Sequence, residues 1–294
     1  MGRTEHGESM AKKSFDRARE DVGNVLALEH VNVTVPDQAL ATLFYVNTLG
    51  LTRDPYIDWG PFNVWVNAGR QQFHLPTANA QVLRGHTALV VPNLDSLKSR
   101  LRQFEKRFSG TCFGHVERKD AVEVTCPWGN RIRCFGPGRF EQMYLGIPYV
   151  EFSVPPGTAA GIGRFYTRVL GCPVRLTRSA VEVSMGQHQY IRFAETRKQL
   201  PEYDGHHLAI YVADFSGPHR QLKSGDLITE ETDQHQYRFQ KIVDPDNGEL
   251  LYEVEHEVRS LFHPMWERHL VNRNPEQSFF NYRRDRDSFV PGSI

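Results

Sequence analysis

Phe44-Tyr45-Val46-Asn47-Thr48-Leu49-Gly50 returns further along the chain as Phe165-Tyr166-Thr167-Arg168-Val169-Leu170-Gly171, at an offset of 121 residues. Two more pairs follow in the same order. Gly85-His86-Thr87-Ala88-Leu89-Val90-Val91 matches Gly205-His206-His207-Leu208-Ala209-Ile210-Tyr211 at an offset of 120, and Cys126-Pro127-Trp128 answers Asp244-Pro245-Asp246 at 118. Three ordered anchors at a near-constant offset make the chain two copies of a unit of about 120 residues.

Each copy divides again. Ahead of the first anchor, Val31, Val33 and Val35 alternate with His30, Asn32 and Thr34, the period of a half-buried strand. Asp37 is placed to cap a following helix whose apolar stripe is Leu40, Leu43 and Phe44. In the second copy Ile162, Phe165, Tyr166, Val169 and Leu170 fall at helical spacing, and these aromatic residues are expected to be core packing. Gly50 and Gly171 stand where those helices should end. Strand-like stretches follow at Phe62 to Asn67 and Gln71 to Leu75, and strand and helix then recur as Gly85 to Val91 and Leu94, Leu97, Leu101, Phe104. The order is strand, helix and about three strands, four times over.

Lys plus Arg balances Asp plus Glu at 35 each in 294 residues, so net charge gives no general pull toward nucleic acid or an acidic membrane. No apolar run approaches the ~20 residues that span a bilayer. Residues 1–24 are polar and mixed in charge and are expected to form a poorly ordered leader rather than a secretory signal. Cys112, Cys126, Cys134 and Cys172 show no CxxC spacing, which favours reduced thiols and a cytoplasmic location. Strands clustered in threes argue against a doubly wound α/β fold. GxGxxG, P-loop, GxSxG and HExxH motifs are absent from the sequence.

The strand His30-Val31-Asn32-Val33-Thr34-Val35, the FYxxxLG helix end, the Gly-His strands and the Pro-Trp-Gly-Asn and Asp-Pro-Asp-Asn-Gly turns together resemble the vicinal oxygen chelate superfamily, which includes glyoxalases, bleomycin-resistance proteins and extradiol dioxygenases. The resemblance covers roughly residues 27–137 and 147–256. It implies an α+β fold: four βαβββ modules paired into two cup-shaped, barrel-like sheets with helices outside. The expected domains are 25–140 and 145–260, followed by a C-terminal arm over 261–294.

In such proteins the ligands of a divalent metal come from the start of each module's first strand and from a carboxylate on each module's last strand. The matching positions in the first copy are His30, His74, His86 and Arg133. Three imidazoles then suit Fe(II), with Mn, Ni, Cu or Zn as alternatives. Arg133, where Glu is usual, is suited to a substrate carboxylate or enolate. In the second copy Tyr149, Arg192, His206 and, near the end, Leu251 or Glu253 match, with His206 and Glu253 the weaker metal candidates. Tyr149 stands where the extradiol pattern needs a His, Glu151 shares its strand face, and a Glu151–Arg192 ion pair is the structural alternative. His235 and Tyr237 are candidate acid–base groups.

The resemblance implies a metal-dependent, dioxygenase-like enzyme acting on a small phenolic, catecholic or carbonyl compound. The alternatives are an isomerase or lyase of the glyoxalase type and a metal-free binding or resistance protein. The expected partner is a small-molecule substrate, with neither nucleic acid nor membrane. The arm is expected to be surface cover, with a lid or a homodimer contact as the other readings.

Overall fold

The computed structural model describes residues 15–58, 60–232, 235–274 and 280. Four βαβββ modules follow one another. Module 1 is β1 (Val25–Asn32), α1 (Gln38–Thr42), β2 (Thr52–Asp58), β3 (Asn63–Ala68) and β4 (Gln71–Pro76). Module 2 is β5 (Gly85–Val90), α2 (Leu94–Phe104), β6 (Gly114–Glu117), β7 (Val122–Thr125) and β8 (Arg131–Phe135). Module 3 is β9 (Tyr149–Val154), α3 (Ala159–Leu170), β10 (Val174–Leu176), β11 (Ala180–Ser184) and β12 (Tyr190–Glu195). Module 4 is β13 (His207–Val212), α4 (Ser216–Ser224), β14 (Ile228–Glu231), β15 (Gln236–Val243) and β16 (Leu250–Ser260).

The local signals act as expected from the sequence. The Asp37 carboxylate accepts from the Leu40 amide at 2.9 Å and caps α1. The chain then widens its turn over Leu43–Thr48, where the Leu49 amide reaches back to the Phe44 carbonyl. Gly171 ends α3 in the left-handed region, at φ 66°, where an L side chain would be strained. Ile162, Phe165, Tyr166 and Leu170 are buried along α3, and Trp128 packs against the core. Within the leader range, the described part carries a short 3-10 turn at Arg17–Glu20, and the Val22 carbonyl accepts from the Ser184 hydroxyl.

The modules pair across the two sequence copies. One eight-stranded sheet runs β14-β15-β16-β13-β1-β4-β3-β2 and joins modules 1 and 4; the other runs β10-β11-β12-β9-β5-β8-β7-β6 and joins modules 2 and 3. Each is a curved mixed sheet whose end strands do not pair with each other, so neither is a closed barrel. Sheet membership therefore cuts across residues 25–140 and 145–260. The joint of the first sheet is the antiparallel pair β1–β13, and that of the second is β5–β9.

The register also moves one anchor. His207, not His206, lies opposite Asn32, just as His86 lies opposite Glu151. Ala209 pairs with Glu257 and Ala88 with Arg133. The matching offset is therefore 121 rather than 120, the same as that of the first anchor, with no residue gained or lost between them. Side chains alternate along a strand, so a slip of one residue exchanges the two faces. Strand β1 is buried on both faces: Val31 is 2% exposed toward the core, and His30 and Asn32 are 1% and 6% exposed toward the cup. The half-buried strand expected from alternation is covered on its polar side as well.

Gly85 lies at the module 2–module 3 joint, where a Cβ would stand 1.7 Å from the Glu151 carbonyl oxygen. Backbone cannot yield as a flexible side-chain end can, so overpacking applies here in full. Gly85→Ala is expected to cost about 2–3 kcal/mol of stability, read as a lower denaturant midpoint with an unchanged slope. A midpoint equal to that of the wild type would show that the strands can separate locally without loss.

Candidate metal centre

The cup of the module 1–module 4 sheet gathers His30 from β1, His74 from β4, His207 from β13 and Glu257 from β16. Among the described residues, His30, His207 and Glu257 form the one group of three His, Cys, Asp or Glu whose ligand atoms all lie within 4.8 Å of one another. All three are buried. His74 completes the wall: its ring stacks on His30 at 3.6 Å and on Trp65 at 3.7 Å between centroids.

The protonation states suit ligation. Burial is the first cause holding the His30 and His74 imidazoles well below the usual histidine range; Arg259 adds to it at His30, and His30 adds to it at His74. Burial, reinforced by Arg238 and Arg259, lowers His207 to about 3. All three rings are therefore neutral near pH 7, the form that ligates metals. His30 Nδ1–H donates to Glu29 Oε2 at 2.7 Å. That fixes the lone pair on Nε2, a buried atom with no hydrogen-bond partner. A carboxylate on the far nitrogen of an orphaned imidazole is the outer-shell arrangement of a metal-ligating histidine.

Glu257 is held by two guanidiniums. Arg238 donates to it at 2.6 Å, and Arg259 Nε at 2.5 Å. Arg259 also reaches Glu29 at 2.6 Å, so a buried Glu29–Arg259–Glu257 bridge joins the residue that orients His30 to the carboxylate candidate. Ligands at about 2.1 Å from an ion stand roughly 3 Å apart when adjacent. The present spacing therefore needs only side-chain adjustment to close. Two neutral histidines and one carboxylate make the facial set that suits non-haem Fe(II).

The sequence candidates are distributed between the two cups. His86, Arg133, Tyr149, Glu151 and Arg192 lie in the module 2–module 3 sheet, apart from His30 and His74. There His86 Nε2 and the Tyr149 hydroxyl are 3.1 Å apart, and Arg192 pairs with Glu151. His206 is buried on the other side of its strand from His207, with Nδ1 on Asp204 at 2.6 Å and its ring on Phe152. Glu253 lies two residues short of the His207–Glu255 row and four short of Glu257, with the Gln240 amide on its carboxylate at 3.4 Å. Tyr237 packs against Phe215 and His219 toward α4, away from the cup. His235 stands just before β15, at φ 65°. Sequence reasoning missed His207 and Glu257. Keeping the 121-residue offset of the first anchor through the second would have found His207.

The described part of the arm crosses this cup. Trp266 packs on Tyr211 at 4.8 Å, Arg268 pairs with the fully buried Asp54 carboxylate, and the Asn272 amide bonds the Gly69 carbonyl. Tyr282 to Asp287 lie outside the described residues. No described helix is long and apolar enough to cross a membrane.

No family model matches the chain, and no curated protein matches it. Solved structures do. A putative dioxygenase from Bacillus subtilis is 15% identical, covers 81% of this chain and 86% of its own, and has a TM-score of 0.55. Glyoxalase I from Zea mays is 12% identical, covers 80% and 92%, and has a TM-score of 0.56. The chain shares its two-sheet, four-module fold with both of these structures.

At Asp54, burial raises the pKa, but hydrogen bonds from Arg268 and the Tyr56 and Ile57 amides outweigh it and hold the carboxyl below 3.8. Its stabilising effect is present above the unfolded value and is lost as pH falls through the depressed folded value. Arm docking is therefore expected to weaken only below about pH 4. Arg268→Met, which strands a buried carboxylate, should cost about 3 kcal/mol and expose the arm to limited proteolysis at neutral pH. Unaltered cleavage kinetics would show that the pair does not hold the arm.

Proposed function

We propose that the module 1–module 4 cup holds a divalent metal, with Fe(II) favoured, and that the chain is a metal-dependent enzyme acting on a small phenolic, catecholic or carbonyl compound by a dioxygenase-like reaction. The observation that carries this reading is the buried His30–His207–Glu257 cluster with its orphaned His30 Nε2. A bound ion supplies Lewis acidity to adjacent substrate oxygens. The chain's own residues do the rest. Glu29 fixes the His30 tautomer, the arm excludes water, and Trp65 and Tyr211 offer aromatic walls. His74 stands beside the cluster as a fourth ligand or as a proton acceptor, with its Nε2 set by Gln72 at 3.1 Å.

The alternative enzyme class is an isomerase or lyase of the glyoxalase type, which consumes no oxygen, so an oxygen electrode separates the two. The metal-free binding reading is favoured by the two arginines that already satisfy Glu257. Metal analysis decides it. The wild-type protein loaded anaerobically should hold about one equivalent of Fe(II), and His207→Ala and Glu257→Ala should each lose it. Glu29→Gln should retain the ion with an affinity weaker by about 10–100-fold. If the wild type holds no metal at any supplied level, the enzyme reading fails. If His74→Ala leaves metal affinity unchanged, His74 drops out of the ligand set.

A further inference from the structure

The second cup repeats the backbone geometry of the first with different side chains. Strand register places Tyr149 where the other cup has His30, His86 where it has His207, and Arg133 where it has Glu257. A set of candidate ligands has become a hydroxyl, an imidazole and a guanidinium, with the Glu151 carboxylate on the residue opposite His86. These groups touch in series. The Tyr149 hydroxyl lies 3.1 Å from His86 Nε2, and the two rings meet edge to face at 5.4 Å. His86 Nδ1 stands 3.5 Å from Glu151 Oε1, while the other Glu151 oxygen is held by Arg192. The Arg133 guanidinium donates a hydrogen bond to the Tyr149 oxygen.

The series has a direction. A carboxylate facing Nδ1 keeps the imidazole proton there and leaves the Nε2 lone pair as an acceptor. The phenol oxygen already accepts from Arg133, so its own proton points to Nε2. Burial is the first cause holding His86 below the usual histidine range, against the pull of Glu151, so the ring is neutral near pH 7. Burial also raises the Tyr149 phenol, which therefore keeps its proton until a reaction draws it off. Solvent reaches the group: the side chains of Arg133, Glu151 and His86 are 42%, 20% and 15% exposed. A hydroxyl within hydrogen-bond reach of a neutral imidazole, itself oriented by a third group, is the arrangement that activates an oxygen nucleophile.

We propose that the module 2–module 3 cup is a metal-independent acyl-transfer site whose nucleophile is the Tyr149 hydroxyl and whose substrates are small activated esters. The Tyr149 oxygen forms a bond to the acyl carbon, and the bond from that carbon to the leaving oxygen breaks with its electron pair going to the leaving group. The phenol proton passes to His86 Nε2. Glu151 stabilises the imidazolium so formed, and Arg133 steadies the charge on the phenol oxygen as its proton leaves. The site does not depend on metal in the first cup, so its failure would leave the reading of that cup untouched.

Timed treatment of chelator-treated protein with p-nitrophenyl acetate tests this, with acetylated tyrosines located by peptide mass spectrometry. Tyr149 should be acetylated faster than Tyr56 by about tenfold or more, although Tyr149 is 6% exposed and Tyr56 70%. His86→Gln should slow acetylation of Tyr149 by about 100-fold and leave that of Tyr56 unchanged. His207→Ala should leave both rates as in the wild type. Tyr56 keeping pace with Tyr149, an unaltered Tyr149 rate in His86→Gln, or a loss of that rate in His207→Ala would each overturn the proposal. Should His86→Gln fail to fold, the wild-type comparison of Tyr149 with Tyr56 still decides it.

Discussion

Strand β1, near the start of the described chain, pairs antiparallel with β13, which begins module 4. That contact sets His30 beside Ala209 and Asn32 beside His207, and through the parallel pair β13–β16 it brings Glu257 into the same cup. Closing so long a loop costs only slowly more entropy than closing a short one. Pairing the outer modules is therefore not ruled out by chain length, and the inner two modules are left to join at β5–β9. Both faces of β1 are buried, so the register has no freedom to slip: a shift of one residue would bury the wrong set on each side.

The polar lining of the first cup is stabilised by ion pairing. Glu29, Glu255 and Glu257 alternate with Arg238 and Arg259, and the imidazoles nearby stay neutral because burial and those guanidiniums disfavour a further positive charge. A buried charge lacking such partners would cost several kcal/mol. The same bridge that satisfies the carboxylates also fixes the His30 tautomer, so the electrostatic requirement and the ligand geometry are met by one set of residues. The second cup uses the same backbone positions for arginines and tyrosines. One fold thus presents two chemical surfaces, and the chemistry follows the side chains at those positions rather than the architecture.

Much of the fold was legible because it rests on local signals. The FYxxxLG repeat, the Asp37 cap, the Gly171 terminus and the apolar stripe of α2 each act within a few residues. His30 and His74 were likewise legible, since each sits on its own module's strand at a position the repeat defines. His86 and Arg133 were found as positions but assigned to the wrong company, because nothing local to β5 says which module it will face. His207 was missed because matching Gly85-His86 to Gly205-His206 drops the constant 121-residue offset by one and so selects the opposite strand face, and Glu257 because the β15–β16 hairpin is longer than its first-copy counterpart.

By itself the sequence determined the modules: their order, their strand and helix types, and the residue types offered at each strand's inner face. These follow from periodicity, capping and glycine placement, which are properties of neighbouring residues. Only the tertiary structure decided which module faces which, and hence that two histidines and a glutamate meet in one cup while arginines meet in the other. Partner choice between four similar modules is set by the fit of complete strand faces, a sum over contacts far apart in the chain that no short stretch of sequence contains.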